Sequence, residues 1–225
     1  MKRLSTYPLV KYPRTVHLPW SGATTADDIT ADDLLGFAGR NVVVTVKLDG
    51  ENTTMYSDYI HARSLDSEHH PSRNWVKGLH AAIGHMIPEG WRVCGENLFA
   101  LHTIRYRNIP SYFFVHSIWN DRNECLSWDD TSEWAQLLGL ALVPVLYRGM
   151  WDENIIRSLY RPEIDGDPCE GYVVRLEDSF PYEKFGSSVA KYVSEKFRHA
   201  VDASDSHWRS KPVVPNTLRG DDEDR

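Results

Sequence analysis

Cysteine is scarce in this sequence. Its three residues, Cys94, Cys125 and Cys169, stand far apart with no Cys-x-x-Cys pair, which excludes a disulfide framework and a zinc ribbon and leaves them as small apolar side chains. No apolar run approaches the ~20 residues that a membrane-spanning helix needs, and the first residues lack the apolar core of a secretory signal; a soluble, intracellular protein is expected. A surplus of base is lacking too. The net charge is −7, and about −5 remains without residues 219–225, which carry four acids and two bases. That argues against a long nonspecific footprint on nucleic acid, though not against cations confined to one groove. Internal repeats and linkers rich in Gly, Ser or Pro are absent. The 225 residues are therefore expected to form a single domain over 1–215 with an acidic disordered tail over 216–225. The histidines at 69, 70, 80 and 85 have no Cys or carboxylate at ligand spacing and read as ordinary histidines.

Aromatic residues are plentiful, with eight Trp and eleven Tyr. The most informative stretch runs from Val42 to Asn52. A β-branched run long enough for a buried strand ends on Lys47, and the turn signal Asp49-Gly50 follows at once. An ammonium at the end of an apolar strand is costly unless paired or neutralised. The same desolvation can make a lysine nucleophilic. At its ordinary pKa near 10.4 only roughly one lysine in a few thousand is neutral at pH 7, so a nucleophilic role requires that pKa to fall through burial, a second cation or a metal ion.

In chain order, residues 1–22 read as irregular, with prolines that forbid a regular helix. A short helix is expected over 27–37, closed by Gly39, then the strand to Lys47 and a hairpin over 52–57 and 59–63. Ser72 is expected to cap a helix bearing Trp75, Leu79, Ile83 and Met86 or Ile87. Strands follow at 91–95, 112–119 and 142–147. Asp130 and Glu133 suggest a capping box, and another helix should start near Asp152. The last strands are 171–176 and 189–193. The pattern predicts an α+β domain with largely antiparallel sheets flanked by helices.

Five stretches, in order, carry a family resemblance. Lys47-Leu48-Asp49-Gly50 resembles motif I of the covalent nucleotidyltransferases, in which the lysine attacks the α-phosphorus of a nucleotide. Gly95-Glu96-Asn97-Leu98-Phe99 is similar to motif III, whose acid contacts the ribose. Tyr112 to Trp119 resembles motif IIIa, which stacks a ring on the purine; here the ring is His116 or Phe114. Glu170-Gly171-Tyr172-Val173 matches motif IV, whose glutamate engages the metal, and Val189-Ala190-Lys191-Tyr192 resembles motif V, whose lysine meets the α-phosphate. Arg63 resembles an arginine that contacts phosphate or ribose, and Glu51 and Asn52 lie within reach of a nucleotide. The match is closest to the RNA-ligase-2-like group of ATP-dependent RNA ligases.

That resemblance implies a nucleotidyltransferase (ATP-grasp-like ligase) adenylation domain. It implies catalytic Lys47, Lys191 and Glu170, a nucleotide site of Lys47, Asp49, Gly50, Arg63, Glu96, Phe114 or His116, Glu170 and Lys191, and Mg²⁺ or Mn²⁺ on Glu170. ATP would leave AMP on Lys47, and RNA ends would be joined in a repair reaction. It further implies a cytoplasmic protein of a bacterial or phage-infected cell, and a protein partner in place of the C-terminal OB or helical domain that the sequence lacks. Two other outcomes stay open: adenylyl transfer to a different acceptor, and a noncatalytic module that binds nucleotide or RNA ends. The position two residues beyond Lys191, often a second lysine in the family, is Val193.

Overall fold

The computed structural model describes residues 8–22, 28–66, 68–202 and 212–220. A short strand β1 (Val16–His17) lies in the irregular opening segment, and residues 29–31 pair alongside it, with the His17 N–H donating to the Ile29 carbonyl and the Ala31 N–H to that of His17. This pairing replaces the helix expected over 27–37, of which residue 27 lies outside the described residues. Leu34 and Phe37 reach the core while Leu35 is 75% exposed, an apolar stripe too short to sustain a helix by packing. The Asp33 carboxylate accepts the Leu35 N–H, a local bond that competes with helix, and the segment ends in a turn with Gly39 at φ 69°.

Strand β2 (Asn41–Lys47) is buried along its valines. Val42 and Val44 enter one core cluster and Val43 another, so an unbroken apolar run is what a strand covered on both faces requires. The expected hairpin forms as β3 (Glu51–Met55) and β4 (Ile60–Ala62). A 3₁₀ turn at 71–73 leads into α1 (Asn74–Ile83). The His70 side chain caps that turn by accepting the Ser72 N–H, and α1 follows from Arg73 with no side-chain cap, so Ser72 is not the cap expected.

Next come β5 (Arg92–Asn97), β6 (Phe113–Trp119), β7 (Glu124–Cys125) and α2 (Trp128–Leu137). This helix starts before the expected Asp130–Glu133 box. Ser127 is the cap and Asp130 its partner. The strand expected over 142–147 is divided by Pro144 into β8 (Ala141–Leu142) and β9 (Val145–Met150), which belong to different sheets. Asp152 caps α3 (Glu153–Ser158) as expected. A hairpin of β10 (Glu163–Ile164) and β11 (Asp167–Pro168) turns at Asp165-Gly166, both at positive φ. The chain then forms β12 (Gly171–Leu176), β13 (Phe180–Pro181), α4 (Phe185–Ser188), β14 (Val189–Val193) and α5 (Glu195–Asp202).

Two sheets result. One has the order β1-β14-β12-β2-β9; the other runs β13-β7-β6-β5-β3-β4, with β8 on β6. Among the described strand pairs only β1/β14 and β6/β8 are parallel, with single parallel bridges at His17–Thr30 and Ile109–Leu218, so the fold is α+β and largely antiparallel. The short Leu48–Gly50 link passes the chain from β2 in the first sheet to β3 in the second. Residues 212–220 also carry structure, which corrects the expected tail over 216–225. Asn216, Thr217 and Arg219 donate backbone N–H groups to the carbonyls of Phe99, Tyr106 and Ile109. Residues 221–225 lie outside the described residues.

Candidate active site

Strand register assembles the site. Lys47, the last residue of β2, stands opposite Gly171, the first of β12. Glu170 directly precedes that glycine and is carried to the lysine, with Nζ 2.6 Å from Oε1. Only glycine fits between them and the next strand, since a Cβ at 171 would sit 1.9 Å from the Tyr192 carbonyl oxygen. Lys191 lies on β14 opposite Val173, which is opposite Thr45. Lys47, Thr45, Val173, Arg175 and Lys191 thus share one face, and all line a cleft.

The second sheet supplies the other wall. Asn52 pairs with Glu96 across β3 and β5, and Arg63 follows β4 with its N–H on the Asn52 carbonyl. These three and His116 also line the cleft. His116 reaches it through a bulge. Cys94 and Gly95 are successive on β5 but pair with Ser117 and Val115, leaving His116 as the extra residue. Phe114, expected as an alternative stacking ring, is 4% exposed in the core with Tyr112, Trp128 and Val143 and is not part of the lining. The Asn52 amide lies 3.1 Å from His116 Nε2, and Nδ1 lies 3.1 Å from the Ser117 hydroxyl. Burial, together with Arg175 and Lys47, pushes the imidazole down to about 3, so the ring is neutral; with the amide donating to Nε2, the ring proton sits on Nδ1.

Asp49 and Gly50 shape the turn instead of lining the cleft. Asp49 Oδ2 accepts the N–H groups of Thr103 and Ile104, each at 2.7 Å, and the Gly50 N–H donates to Glu96 Oε1. A Cβ on Gly50 would meet the Asn97 carbonyl at 2.6 Å. Glu51 turns away to Arg73 in a buried bidentate pair.

The charge states reverse one expectation. Burial pushes the Lys47 ammonium down, but Glu170, Glu96 and Asp49 together outweigh it and hold the group above the usual lysine range. The lowered lysine is Lys191, brought to about 8 by burial and by Lys47. Burial also raises Glu170 to about 7 and Glu96 to about 8, against the pull of Lys47. Lys47 is thus a protonated partner of Glu170, not a free amine.

A family model described as RNA ligase matches residues 40–193, the span that holds every residue of this cleft named so far. This chain belongs to the RNA ligase family. No curated protein matches it. Among solved structures it is similar to a Naegleria gruberi RNA ligase with PPi, at 17% identity and a TM-score of 0.54, covering 88% of this chain and 64% of that one. It is also similar to mutants of that ligase with ATP and Mn, at 17% identity, TM-score 0.53 and coverage of 87% and 64%, and with AMP and Mn, at 16% identity, TM-score 0.52 and coverage of 86% and 63%. These likenesses establish the fold. The chain spans about two thirds or slightly less of those ligases.

Within this RNA ligase fold, the carboxylates beside Lys47 suit a hard cation. Glu170 Oε2 is buried and accepts no hydrogen bond, and oxygen donors are what Mg²⁺ and Mn²⁺ take. Among the described residues no group of three or more His, Cys, Asp or Glu is placed to hold a metal ion. Sequence reasoning did not single out the environment of Lys191 and His116. His17 pairs with Lys191 in register, and Asp28 lies 3.2 Å from His17 and 3.9 Å from Lys191. Tyr12 packs edge-on against His116 and Phe185. Nothing local distinguishes Tyr12 from the other tyrosines. Arg175, buried in the cleft wall, donates to the carbonyls of Leu126, Leu176 and His116.

Proposed function

We propose that this protein is an ATP-dependent RNA ligase that works through AMP carried on Lys47. The observation that carries the proposal is the Lys47–Glu170 pair, 2.6 Å apart, at a cleft also lined by Lys191, Arg63, Glu96 and His116. Lys47 Nζ would attack the α-phosphorus of ATP. A nitrogen–phosphorus bond forms, the bond to the bridging oxygen breaks, and its electron pair leaves with pyrophosphate. The ammonium proton must pass to water before attack. Phosphoryl transfer asks mainly for alignment and neutralised charge, and Lys191 supplies a cation for the α-phosphate.

Glu170 would hold a divalent cation, Mg²⁺ or Mn²⁺, which offsets phosphate charge. His116 offers its face to the adenine, Glu96 an acceptor to the ribose, and Arg63 a cation to phosphate or ribose. AMP then passes to an RNA 5′-phosphate, and a 3′-hydroxyl attacks that activated end with release of AMP. We further assign the protein to the cytoplasm, acting on broken or nicked RNA, with a partner protein supplying contacts to the duplex.

The test is intact mass after mixing nucleotide-stripped protein with ATP and Mg²⁺ or Mn²⁺. An AMP adduct in the wild type and none in Lys47→Ala supports the proposal; an adduct that survives Lys47→Ala refutes the nucleophile. A 5′-phosphorylated nicked RNA duplex, a single-stranded RNA and nicked DNA then identify the acceptor. Adduct without joining of any RNA would move the assignment to adenylyl transfer onto another acceptor.

A further inference from the structure

The C-terminal segment 212–220 is tied to a loop that in turn holds the turn beside Lys47. Asn216 is 2% exposed. Its Oδ1 accepts the Tyr106 N–H at 2.9 Å, its Nδ2 donates to the Leu98 carbonyl at 2.7 Å, its own N–H donates to Phe99, and its carbonyl accepts the Tyr112 hydroxyl. Tyr106 is 5% exposed, and its hydroxyl oxygen accepts the Asp49 N–H at 2.8 Å, two residues past Lys47. The same loop gives the Thr103 and Ile104 N–H groups to the Asp49 carboxylate. Leu48 and Leu218 pack against one cluster with Ile104 and Tyr106. Asn216 and Tyr106 do not line the cleft, and Asn216 lies beyond the family match, which ends at 193.

We infer that Asn216 and Tyr106 are positioning residues: the C-terminal segment fixes the turn at 48–50 and through it the aim of the Lys47 amine. The inference rests on Lys47 being the nucleophile. An attacking group must be held in near-attack geometry, and displacement by about 1 Å can cost on the order of 100-fold in rate. A turn bonded on its N–H side by Tyr106 and on its carboxylate side by residues 103 and 104 has little freedom, and Asn216 holds the loop at Tyr106 itself.

Full-length Tyr106→Phe and Asn216→Ala test this. Tyr106→Phe removes one oxygen and keeps the packed ring. Two quantities are measured: the maximal rate of AMP adduct formation at saturating ATP, and ATP affinity without chemistry, in a Lys47→Ala background. The expected result is a maximal rate lowered by about tenfold or more with ATP affinity within about twofold of the parent. An adduct rate in Tyr106→Phe within about twofold of wild type overturns the inference, as does an equal loss of rate and affinity, which marks general damage. If Asn216→Ala does not fold, Tyr106→Phe decides alone. Wild-type protein that forms no adduct would overturn the nucleophile assignment itself, and is scored first.

Discussion

Glu170→Gln offers the sharpest test of the site's electrostatics. The Lys47 ammonium and the Glu170 carboxylate are 2.6 Å apart, an attraction of roughly 6 kcal/mol at an effective dielectric of about 20. The lysine side chain is 24% exposed and its partner 7%, so solvent removes part of that figure. Burial opposes the charge, and Glu96 and Asp49 remain in the variant as weaker support. Losing even half of that attraction, about 3 kcal/mol, lets burial prevail over what remains. The amine should therefore move from above the ordinary lysine range to below it. The assay is acetylation of nucleotide-free, cation-free protein as a function of pH, with peptide mass locating the label at residue 47. Because no nucleotide or metal is present, the result does not depend on any other role of Glu170. A labelling midpoint equal to or above that of the wild type would refute the account of what holds Lys47 charged.

Three further outcomes follow from the geometry. His116→Ala should weaken noncovalent ATP binding, measured in a Lys47→Ala background, by roughly 5- to 150-fold, the equivalent of about 1–3 kcal/mol of base stacking, with His116→Phe restoring most of it; unchanged affinity in His116→Ala removes that ring from the base site. Phe114→Ala should leave ATP affinity intact and cost about 3–5 kcal/mol of stability, read by denaturant unfolding, because its ring is 4% exposed among core side chains. Glu96 keeps its proton to about pH 8 in the fold but only to about 4.3 in an unfolded chain. The folded state thus binds the extra proton between those values, and stability falls as pH rises through that window. Glu96→Gln should raise the melting temperature more at pH 9 than at pH 5, and an equal gain at both refutes the shift.

Much of the fold was legible because periodicity reports burial. The valines of β2, the 171–176 and 189–193 strands and the Asp152 cap all follow from local chemistry. Failures arose where two local signals competed. Ser127-x-x-Asp130 and Asp130-x-x-Glu133 are both capping patterns, and the choice between them depends on where Trp128 is buried. The run 142–147 reads as one strand until its halves are sent to different sheets, which only Pro144 hints at. The Asp165-Gly166 turn was visible and unused. In the site, the grouping of Lys47, Glu96, Glu170 and Lys191 came from the resemblance of their stretches to motifs of one family, and strand register is what brings them together in space. The choice between Phe114 and His116 was not visible, because alternation fails at a bulge, and a bulge is a property of the paired strand.

Charge state was the least legible feature, and the reason is physical. A sequence can say that Lys47 ends a buried strand, which predicts a lowered pKa; only register says that three carboxylates surround it, and together they outweigh burial. In the proposed reaction the same balance would set an order of events. ATP would bring further negative charge toward Lys47, which by itself favours the ammonium still more. Lys191, brought to about 8 by burial and Lys47, keeps most of its charge near neutral pH and would offset only part of this. A divalent cation held by Glu170 would withdraw that carboxylate's support from the ammonium in the state where phosphate is also neutralised. Nucleophile activation and substrate charge neutralisation would then share one carboxylate, and the lysine would stay inert until both were satisfied.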